Sequence, residues 1–297
     1  MNIGILIFSD PLLDKASGFV RLVEAGQALG HTMSVFYETL FAFEHTEKGL
    51  QAYYDGKPFF APNVMIARPN FVEEPMPHAT TLEALKQMSI PVLNGSPEAL
   101  IVSKDKLTQH LRFKSAGLPM PPWAIVRAPA HALEAANRLG FPVIMKVPFG
   151  THGKGVFYAT DSETFLPMVE YLNVRDGNPL IIEKFISEAN RRDLRVLVLH
   201  GKIVAAMERT ARAGDVRANA SLGGSGTPVE LSAAESALAL KATEITVLDL
   251  AGVDILRSAN GPLLIEINAN PGFGELERAT GIDVAKIIIE AATNITA

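Results

Sequence analysis

Residues 250–272 read LAGVDILRSANGPLLIEINANPG and have the clearest structural pattern in the chain. Two apolar runs flank Asn260 and the glycine after it, a turn signal that predicts a β-hairpin. If the turn is centred on Asn260, Asp254 lies opposite Glu266, and Asn268 follows on the same face because strand side chains alternate. Two carboxylates and one amide oxygen on one face of a buried sheet predict a Mg²⁺ or Mn²⁺ site, unless they pair with arginines or face solvent.

Upstream of this hairpin, residues 141–156 join a short apolar strand ending at Lys146 to a loop with glycines at 150, 153 and 155. Glycines let backbone N–H groups turn toward an anion without obstruction by Cβ, which is how many loops hold phosphate. The loop lacks the Gly-Lys-Ser/Thr of a Walker A motif, and a tight hairpin with an exposed lysine has a similar sequence. Because a lysine in a buried strand is costly without an anion, the segment favours phosphate binding.

The composition excludes several classes of protein. The chain has 297 residues, enough for about two domains, with a net charge of −5 and no cysteine. Disulfides, thiol catalysis, iron–sulfur clusters and cysteine-bound zinc are therefore excluded, and the seven histidines show no zinc spacing and are interpreted as structural or surface residues. The acidic balance argues against nucleic acid as a partner, and no apolar run approaches the roughly 18 residues that span a bilayer. We expect a cytoplasmic protein with no membrane partner.

Strands and helices alternate over the first ninety or so residues, which predicts an open parallel α/β sheet. We predict a helix over 19–29 and strands over 3–8, 31–37 and 64–67. The first strand is not followed by Gly-x-Gly-x-x-Gly, which argues against a dinucleotide site and a Rossmann dehydrogenase. The pattern breaks near residues 93–97, so we predict one domain of residues 1–95 and a second of residues 96–297.

The second region opens with a helix that ends at Gly117, before a proline cluster that we expect to form a stiff, extended linker. We expect this one helix to carry Lys104, Lys106 and Arg112. The remaining predicted elements are strand-rich sequence over 180–207, a long helix over about 233–250, the hairpin and a terminal helix.

Two further segments have weaker signals for ligand binding. Residues 179–186 form an apolar strand that turns polar beside an aromatic residue, where backbone groups can meet an adenine edge, although an ordinary strand end has the same pattern. Residues 207–219 are rich in arginine and lead into the glycines of 223–226. This loop suits phosphate or a substrate carboxylate, and a solvated surface loop is the alternative.

In this order the segments resemble the ATP-grasp superfamily and, within it, the RimK-type glutamate ligases. The resemblance covers nearly the whole chain. Its most specific parts are AGVDILR (251–257), EINANPG (266–272) and TGID (280–283), with DKL (105–107), AGLP (116–119), ER (208–209) and GDVRAN (214–219) in support. It implies an ATP-grasp fold behind an N-terminal α/β domain, with ATP held between a lid-like subdomain of about residues 122–186 and a C-terminal lobe of about residues 187–297.

The resemblance also implies which residues bind ATP. They are Lys106, Lys146, Gly150, Thr151, Gly153, Gly155, Glu183, Lys184, Phe185, Asp193, Arg217, Ala218 and Asn219. Among them, the two lysines would contact the phosphates and the glycine loop would close over them. Residues 183–185 would form the adenine-side hinge, and Asp193 would lie at the ribose.

The chemistry implied by the resemblance is an ATP-dependent ligation of a carboxylate to an amine through an acyl phosphate. Asp254, Glu266 and Asn268 would hold two Mg²⁺ ions, with Mn²⁺ as an alternative. Arg217 would be the catalytic residue, stabilising the charge of the tetrahedral intermediate. These are the same three metal ligands that the hairpin pattern predicts without the resemblance.

The chain departs from the RimK-type pattern at three sites, one of them a pair of residues. Lys184 stands where such ligases commonly carry an acidic residue, and Thr210 where they often have a second arginine. Residues 221–222 are Ser-Leu where a His-Arg pair is common. The last two departures lie in the substrate-facing loop, so they leave the acceptor open.

The implied substrates are an amino acid, with glutamate favoured, and a carboxylate-bearing acceptor that is a protein C-terminus, a peptide or a small molecule. Family analogy implies a homo-oligomer, either a dimer or a tetramer. Two alternatives stay open at this point. One is an ATP-binding regulatory protein without ligase activity, and the other is an ATP-grasp ligase that makes a dipeptide or a peptide natural product.

Overall fold

The computed structural model describes residues 1–9, 19–71, 74–150, 155–175, 177–212 and 225–295. Within these ranges the strands form four sheets, one parallel and three antiparallel. No helix in the described part of the chain is long and apolar enough to span a membrane. The mixture of helices and sheets confirms the predicted α/β class.

The elements of the first half of the chain are β1 (Asn2–Ile7), α1 (Val20–Ala28), β2 (Thr32–Tyr37), β3 (Phe41–Thr46), β4 (Gly49–Tyr54), β5 (Lys57–Pro58), β6 (Val64–Arg68), α2 (Met76–Gln87), β7 (Val92–Leu93), α3 (Pro97–Lys104), α4 (Lys106–Ser115), β8 (Trp123–Val126), α5 (Pro129–Leu139) and β9 (Val143–Lys146). Those of the second half are β10 (Val156–Ala159), α6 (Ser162–Arg175), β11 (Leu180–Lys184), β12 (Arg192–Leu199), β13 (Lys202–Thr210), β14 (Ser225–Pro228), α7 (Ala233–Thr246), β15 (Leu250–Ser258), β16 (Gly261–Asn268), α8 (Gly274–Thr280) and α9 (Val284–Thr293).

The N-terminal region contains the predicted parallel sheet, in the strand order β2-β1-β6-β7. Alternate residues of β1 pack on opposite faces: Ile5 lies in a cluster with Leu22 of α1, and Leu6 lies in a cluster with Leu82 of α2. Because both faces are covered, the strands consist of continuous apolar runs rather than alternating ones. The predicted strands and the predicted helix are confirmed, with ends shifted by one or two residues.

A three-stranded antiparallel meander of β3, β4 and β5 lies beside this sheet, and the sequence pattern did not predict it. Its aromatic side chains pack on the end of β2, with the rings of Phe41 and Phe36 4.9 Å and 5.3 Å from that of Phe59. Asp55 and Gly56 both have positive φ in its second turn. An Asp-Gly pair is a strong hairpin signal, so this turn was the available clue.

The single helix predicted to carry Lys104, Lys106 and Arg112 is wrong, because two helices meet at Asp105. This residue has extended backbone angles, and its side chain accepts a hydrogen bond from the N–H of Leu107 at 2.9 Å, which caps α4. Lys104 therefore ends α3, while Lys106 begins α4. The break turns the start of α4 toward the loop after β9, where the Lys106 N–H donates to the Pro148 carbonyl.

Residues 123–184 form a four-stranded sheet in the order β10-β9-β11-β8, with α5 and α6 packed in a core of its own. The C-terminal sheet has the order β14-β13-β12-β15-β16. Two predicted helices need correction there. The helix predicted to reach residue 250 ends at Thr246, where Val247 takes a left-handed conformation, and the terminal helix is two helices separated at Gly281, which has φ +72.

The N-terminal sheet and the C-terminal lobe share one hydrophobic core. Ile3 and Ile5 of β1 pack in the same cluster as Ile288 and Ile289 of α9. At the predicted boundary, Asn94 donates to the carbonyls of Leu250 and Ala269 and accepts from the N–H of Leu250. The segment at 93–97 is therefore a docked junction, which places the carboxyl edge of the parallel sheet against the end of β16.

Candidate active site

The predicted hairpin forms from β15 and β16, and a bulge sets its register. Next to the turn Ser258 pairs with Gly261, but further along the strands the register shifts and Asp254 pairs with Glu266. The shift leaves Ile265 of β16 as one extra residue, which is a β-bulge. The expected pairing of Asp254 with Glu266 is confirmed, although it depends on a bulge that the turn signal does not predict.

Asp254 lies in a buried series of alternating charges on β12, β13 and β15. Its oxygens accept from Nε and Nη2 of Arg195 at 2.6 Å and 3.0 Å, and Oδ2 also lies 3.0 Å from Nη2 of Arg209. Arg209 in turn donates to both oxygens of Asp193, at 2.6 Å and 2.8 Å. Burial opposes the ionisation of Asp254, but the two arginines outweigh it and hold the pKa of this carboxyl below its ordinary value.

This charge cluster bears on two predicted roles. Asp254 is only 2% exposed and pairs with arginines, which was one of the alternatives to metal binding, so it can reach a cation only if Arg195 or Arg209 moves. Both oxygens of Asp193 are bound by Arg209, so a ribose contact also requires Arg209 to move. The metal role of Asp254 and the ribose role of Asp193 stay predictions.

Glu266 and Asn268 line a cleft together with Lys106 and Gly150. Asn268 Nδ2 lies 3.4 Å from Glu266 Oε1, so the two side chains are neighbours on β16. The described residues contain no group of three His, Asp or Glu side chains able to hold a metal by themselves. Because Mg²⁺ at nucleotide sites often takes one or two carboxylates and fills its shell with phosphate oxygens and water, Glu266 and Asn268 fit a cation that binds together with a nucleotide.

Gln109 of α4 fixes the part of β16 that carries these two side chains. Its amide accepts from the Ile267 N–H at 3.1 Å and donates to the Ile267 carbonyl at 3.1 Å and to the Ser103 carbonyl at 2.7 Å. Since β16 is at the edge of its sheet, Gln109 takes the place of a neighbouring strand. The sequence pattern did not identify Gln109, because a lone glutamine on a helix belongs to no motif.

The two predicted phosphate-binding lysines are both buried. Lys106 Nζ donates to the Gly150 carbonyl at 3.1 Å, and burial lowers the pKa of this lysine although Glu266 and Glu183 oppose the shift. Lys146, on β9 of the four-stranded sheet, donates to Glu183 at 2.8 Å. Only Lys106 lines the cleft itself, and Lys146 lies beside it with 4% exposure.

Glu183 is the shared anion of a buried cluster that contains His110. Its Oε1 lies 2.6 Å from His110 Nε2, while His110 Nδ1 lies 2.7 Å from the Lys106 carbonyl. Both ring nitrogens therefore face acceptors, an arrangement that is satisfied when the ring carries both protons. Burial opposes the ionisation of Glu183, but Lys146 and His110 outweigh it and lower the pKa of Glu183 to about 2.

The cluster changes the interpretation of two residues. The resemblance implies that Glu183 belongs to the adenine-side hinge, but its side chain is bound to Lys146 and His110, and its backbone lies in β11 between β8 and β9. The hinge role of Glu183 stays a prediction. The sequence predicts a structural or surface role for His110; the residue is buried, and it links α4 to β11 through Glu183. No spacing signal could have found this contact, because the two residues are 73 positions apart.

Lys184 and Phe185, the other two residues of the predicted hinge, already use their backbone N–H groups. Lys184 donates to the Pro122 carbonyl at 2.8 Å and Phe185 to the Pro142 carbonyl at 3.1 Å. An adenine contact at these two positions is therefore left to their carbonyl groups. The Phe185 ring packs edge-on against Tyr158, with the centroids 5.0 Å apart.

Five of the predicted site residues lie outside the described residues, namely Thr151, Gly153, Arg217, Ala218 and Asn219. The Ser-Leu pair at 221–222 also lies outside them. Their predicted roles stay predictions.

Replacing Gly155 by alanine is expected to destabilise the protein by roughly 3 kcal/mol. The backbone there is left-handed, which strains any residue with a Cβ, and the added Cβ would overlap a neighbouring side chain. Gly155 has φ +83, and an added Cβ would lie 2.3 Å from Cγ2 of Val147, a buried and stiff side chain. Gly117→Ala is the matched control, since φ is +73 there but nothing lies within 4 Å, and it is expected to cost roughly 1 kcal/mol. Urea denaturation measures the stability of both variants. Equal losses would show that Val147 moves and relieves the overlap with the new Cβ.

The fold and the site together define an ATP-grasp protein. The ATP-grasp ligase PsnB complexed with minimal precursor, Mg and ADP has a TM-score of 0.72 at 18% identity, covering 98% of this chain and 96% of that one. The D-alanine–D-alanine ligase from Bacillus anthracis complexed with ATP has a TM-score of 0.69 at 16% identity, covering 99% of this chain and 96% of that one. At these identities the likeness concerns the fold alone, and it confirms the predicted ATP-grasp fold.

The family within this class follows from sequence similarity. The RimK-like ATP-grasp domain matches residues 103–292, and the chain belongs to this family. A probable alpha-L-glutamate ligase of Marinomonas sp. (strain MWYL1) is 34% identical over 271 residues, covering 91% of this chain and 89% of the relative. One of Shewanella pealeana is 34% identical over 293 residues, covering 98% of this chain. The chain spans only 62% of the length of the Shewanella relative.

Proposed function

We propose that this protein is an ATP- and Mg²⁺-dependent carboxylate–amine ligase. The observation that carries the proposal is the cleft in which Lys106, Gly150, Glu266 and Asn268 meet, in a chain of the RimK-like family. ATP-grasp ligases use ATP and Mg²⁺. The relatives named probable alpha-L-glutamate ligases favour glutamate as the amino acid. Two ions per site, and Mn²⁺ as an alternative metal, are part of the proposal.

In the proposed reaction a substrate carboxylate attacks the γ-phosphorus of ATP, the bond from that phosphorus to the bridging oxygen breaks, and ADP leaves. An amine then attacks the acyl phosphate carbon and loses a proton, and phosphate leaves to give an amide. Lys106 and Lys146 would neutralise phosphate charge, and Arg217 would stabilise the tetrahedral intermediate. The cation, when bound by Glu266 and Asn268, supplies further charge neutralisation at the phosphates.

The acceptor is proposed to be a protein C-terminus, a peptide or a small molecule that presents a carboxylate. PsnB, which has the same fold, has been determined with a precursor peptide, and this supports a peptide acceptor. The departures at Thr210 and at 221–222 lie in the segment expected to face the acceptor. A homo-oligomer in the cytoplasm remains the expected setting.

The test measures ADP and phosphate release with ATP and Mg²⁺ while amino acids and short peptides are supplied alone and in pairs. Release that requires a carboxylate and an amine together, with a product heavier by whole glutamyl units, is the expected result. Release with another pair would keep the ligase and change its specificity. ATP binding without release under any pair, protein and peptide acceptors included, would favour the ATP-binding regulatory protein.

A further inference from the structure

Arg68 is a buried cation that has no anionic partner among the residues that the structure describes. It ends β6 with 4% exposure; its Nη2 donates to the Pro271 carbonyl at 3.0 Å, and its guanidinium lies 5.5 Å from the ring centroid of Phe273. Its Nη1 has no hydrogen-bond partner, and no carboxylate pairs with it among the residues that the structure describes. Burial alone lowers the pKa of Arg68 to about 10. An unpaired buried charge is costly, so its position calls for an explanation.

Two other unpartnered buried atoms lie at the same junction, Ser9 Oγ and Asn270 Oδ1. Ser9 follows β1, which pairs with β6 so that Ile7 lies opposite Arg68. Asn270 directly precedes Pro271, whose carbonyl binds Arg68. Three of the four such atoms in the described chain therefore gather at the carboxyl edge of the parallel sheet, which is where open α/β sheets bind ligands.

This junction is continuous with the cleft that holds the phosphate-binding and metal-binding candidates. Pro69 and Asn70, which follow Arg68, line the cleft together with Asn270, Lys106 and Glu266. A ligand at Arg68 therefore has its other end beside the place where the phosphates and the cation would lie. In the proposed ligation the amine has to reach the acyl phosphate, so the substrate that supplies the amine has to lie next to the phosphates.

We propose that Arg68, Ser9 and Asn270 form the subsite for the amino acid that supplies the amine. The guanidinium pairs with the α-carboxylate of that amino acid, which takes no part in the reaction, while the oxygens of Ser9 and Asn270 accept from its N–H groups. A bidentate or charge-assisted pair with a carboxylate is the strongest contact that an arginine makes. The subsite rests on the proposed ligase function and names the residues that select one of its substrates.

The test titrates L-glutamate into the full chain saturated with ADP and Mg²⁺, by calorimetry, for the wild type, Arg68→Met and Arg68→Lys. Arg68→Met is expected to weaken glutamate binding 30-fold or more, while the Kd for ADP stays within twofold. The affinity of Arg68→Lys for glutamate is expected to lie between those of the wild type and Arg68→Met. The α-amide of glutamate, which lacks the paired charge, is expected to bind the wild type as weakly as glutamate binds Arg68→Met. Arg112→Met, an exposed arginine paired with Glu98, is the matched control and should change nothing.

The Tm of the variants distinguishes a substrate-binding role of Arg68 from a structural role. Since no carboxylate in the described part of the chain pairs with Arg68, Arg68→Met is expected to keep or raise Tm. A variant that loses Tm, ADP affinity and glutamate affinity together would overturn the subsite in favour of a structural cation. Unchanged glutamate affinity in Arg68→Met would overturn it too, as would Arg68-dependent binding of a peptide C-terminus in place of the free amino acid.

Different experimental results would contradict the proposed subsite and the proposed ligase function. Binding of glutamate that depends on Arg68, without ADP release in the presence of any acceptor, would uphold the site and overturn the ligase. ADP release with glutamate at an unchanged KM in Arg68→Met would uphold the ligase and overturn the site. Absence of glutamate binding to the wild type would overturn the site for this amino acid, whatever ATP turnover shows.

Discussion

Replacing Glu183 by glutamine is expected to lower the free energy of unfolding at neutral pH by about 3 kcal/mol, the usual cost of breaking a buried ion pair. Glu183 is the anion shared by Lys146 and His110, at 2.8 Å and 2.6 Å, and all three side chains are buried. Glutamine keeps the shape but removes the charge. The Lys146 ammonium then remains in the interior with a neutral amide in place of its anion, and urea denaturation measures the loss.

The stabilisation from Glu183 is also expected to depend on pH. The pKa of Glu183 falls from 4.5 to about 2 in the folded protein. Because the folded pKa is the lower one, the stabilisation is complete above the unfolded pKa and is lost as pH falls through the folded value. The difference in unfolding free energy between the wild type and Glu183→Gln should therefore be constant near neutrality and shrink below about pH 5.

Glu134→Gln is the matched control for Glu183→Gln. The Glu134 side chain is 63% exposed and lies 3.4 Å from His131, which is also exposed. An exposed pair of this kind contributes less than about 1 kcal/mol, so this variant should unfold close to the wild type at every pH. A loss below about 1 kcal/mol for Glu183→Gln as well would show that the cluster around Lys146 is hydrated or rearranged.

The hairpin shows how much of the site follows from sequence. The alternation of side chains along β16 placed Glu266 and Asn268 on one face, and the cleft contains both. The arginine partners of Asp254 did not follow, because Arg195 is 59 positions away and reaches Asp254 only when β12 pairs with β15. Local periodicity fixes the face of a side chain, whereas the identity of its neighbours depends on which distant strands pair.

Helix α4 is a second example of a feature that the sequence predicts only in part. Its existence and its end at Gly117 were predictable, but its start was not, since Asp105 acts as a cap between two helices of similar composition. The functions of Gln109 and His110 depend on that start, because the break directs them toward Ile267 and Glu183. The apolar strands of the N-terminal sheet were predictable for a different reason: burial on both faces leaves a continuous apolar signature.

Replacing Glu266 by alanine is expected to reduce turnover about a thousandfold or more, because a cation at transferring phosphates contributes several kcal/mol. Glu266 is the one carboxylate among the cleft-lining residues of the described chain, and Asn268 lies beside it. ADP release over a series of Mg²⁺ concentrations measures the effect. Glu98→Ala, at a side chain with 64% exposure, is the control that should retain wild-type turnover and Mg²⁺ dependence.

ADP binding with and without Mg²⁺ distinguishes a metal-binding role of Glu266 from a purely structural role. Glu266 offsets part of the positive charge of Lys106, whose Nζ lies 3.1 Å from the Gly150 carbonyl. Without Glu266, metal-free ADP should bind as tightly as to the wild type or tighter, because less negative charge faces the phosphates, while the tightening caused by Mg²⁺ should disappear. If Glu266→Ala kept full activity with an intact Mg²⁺ dependence, Glu266 would not be a metal ligand, and the cation would have to be held by Asp254 after release from Arg195.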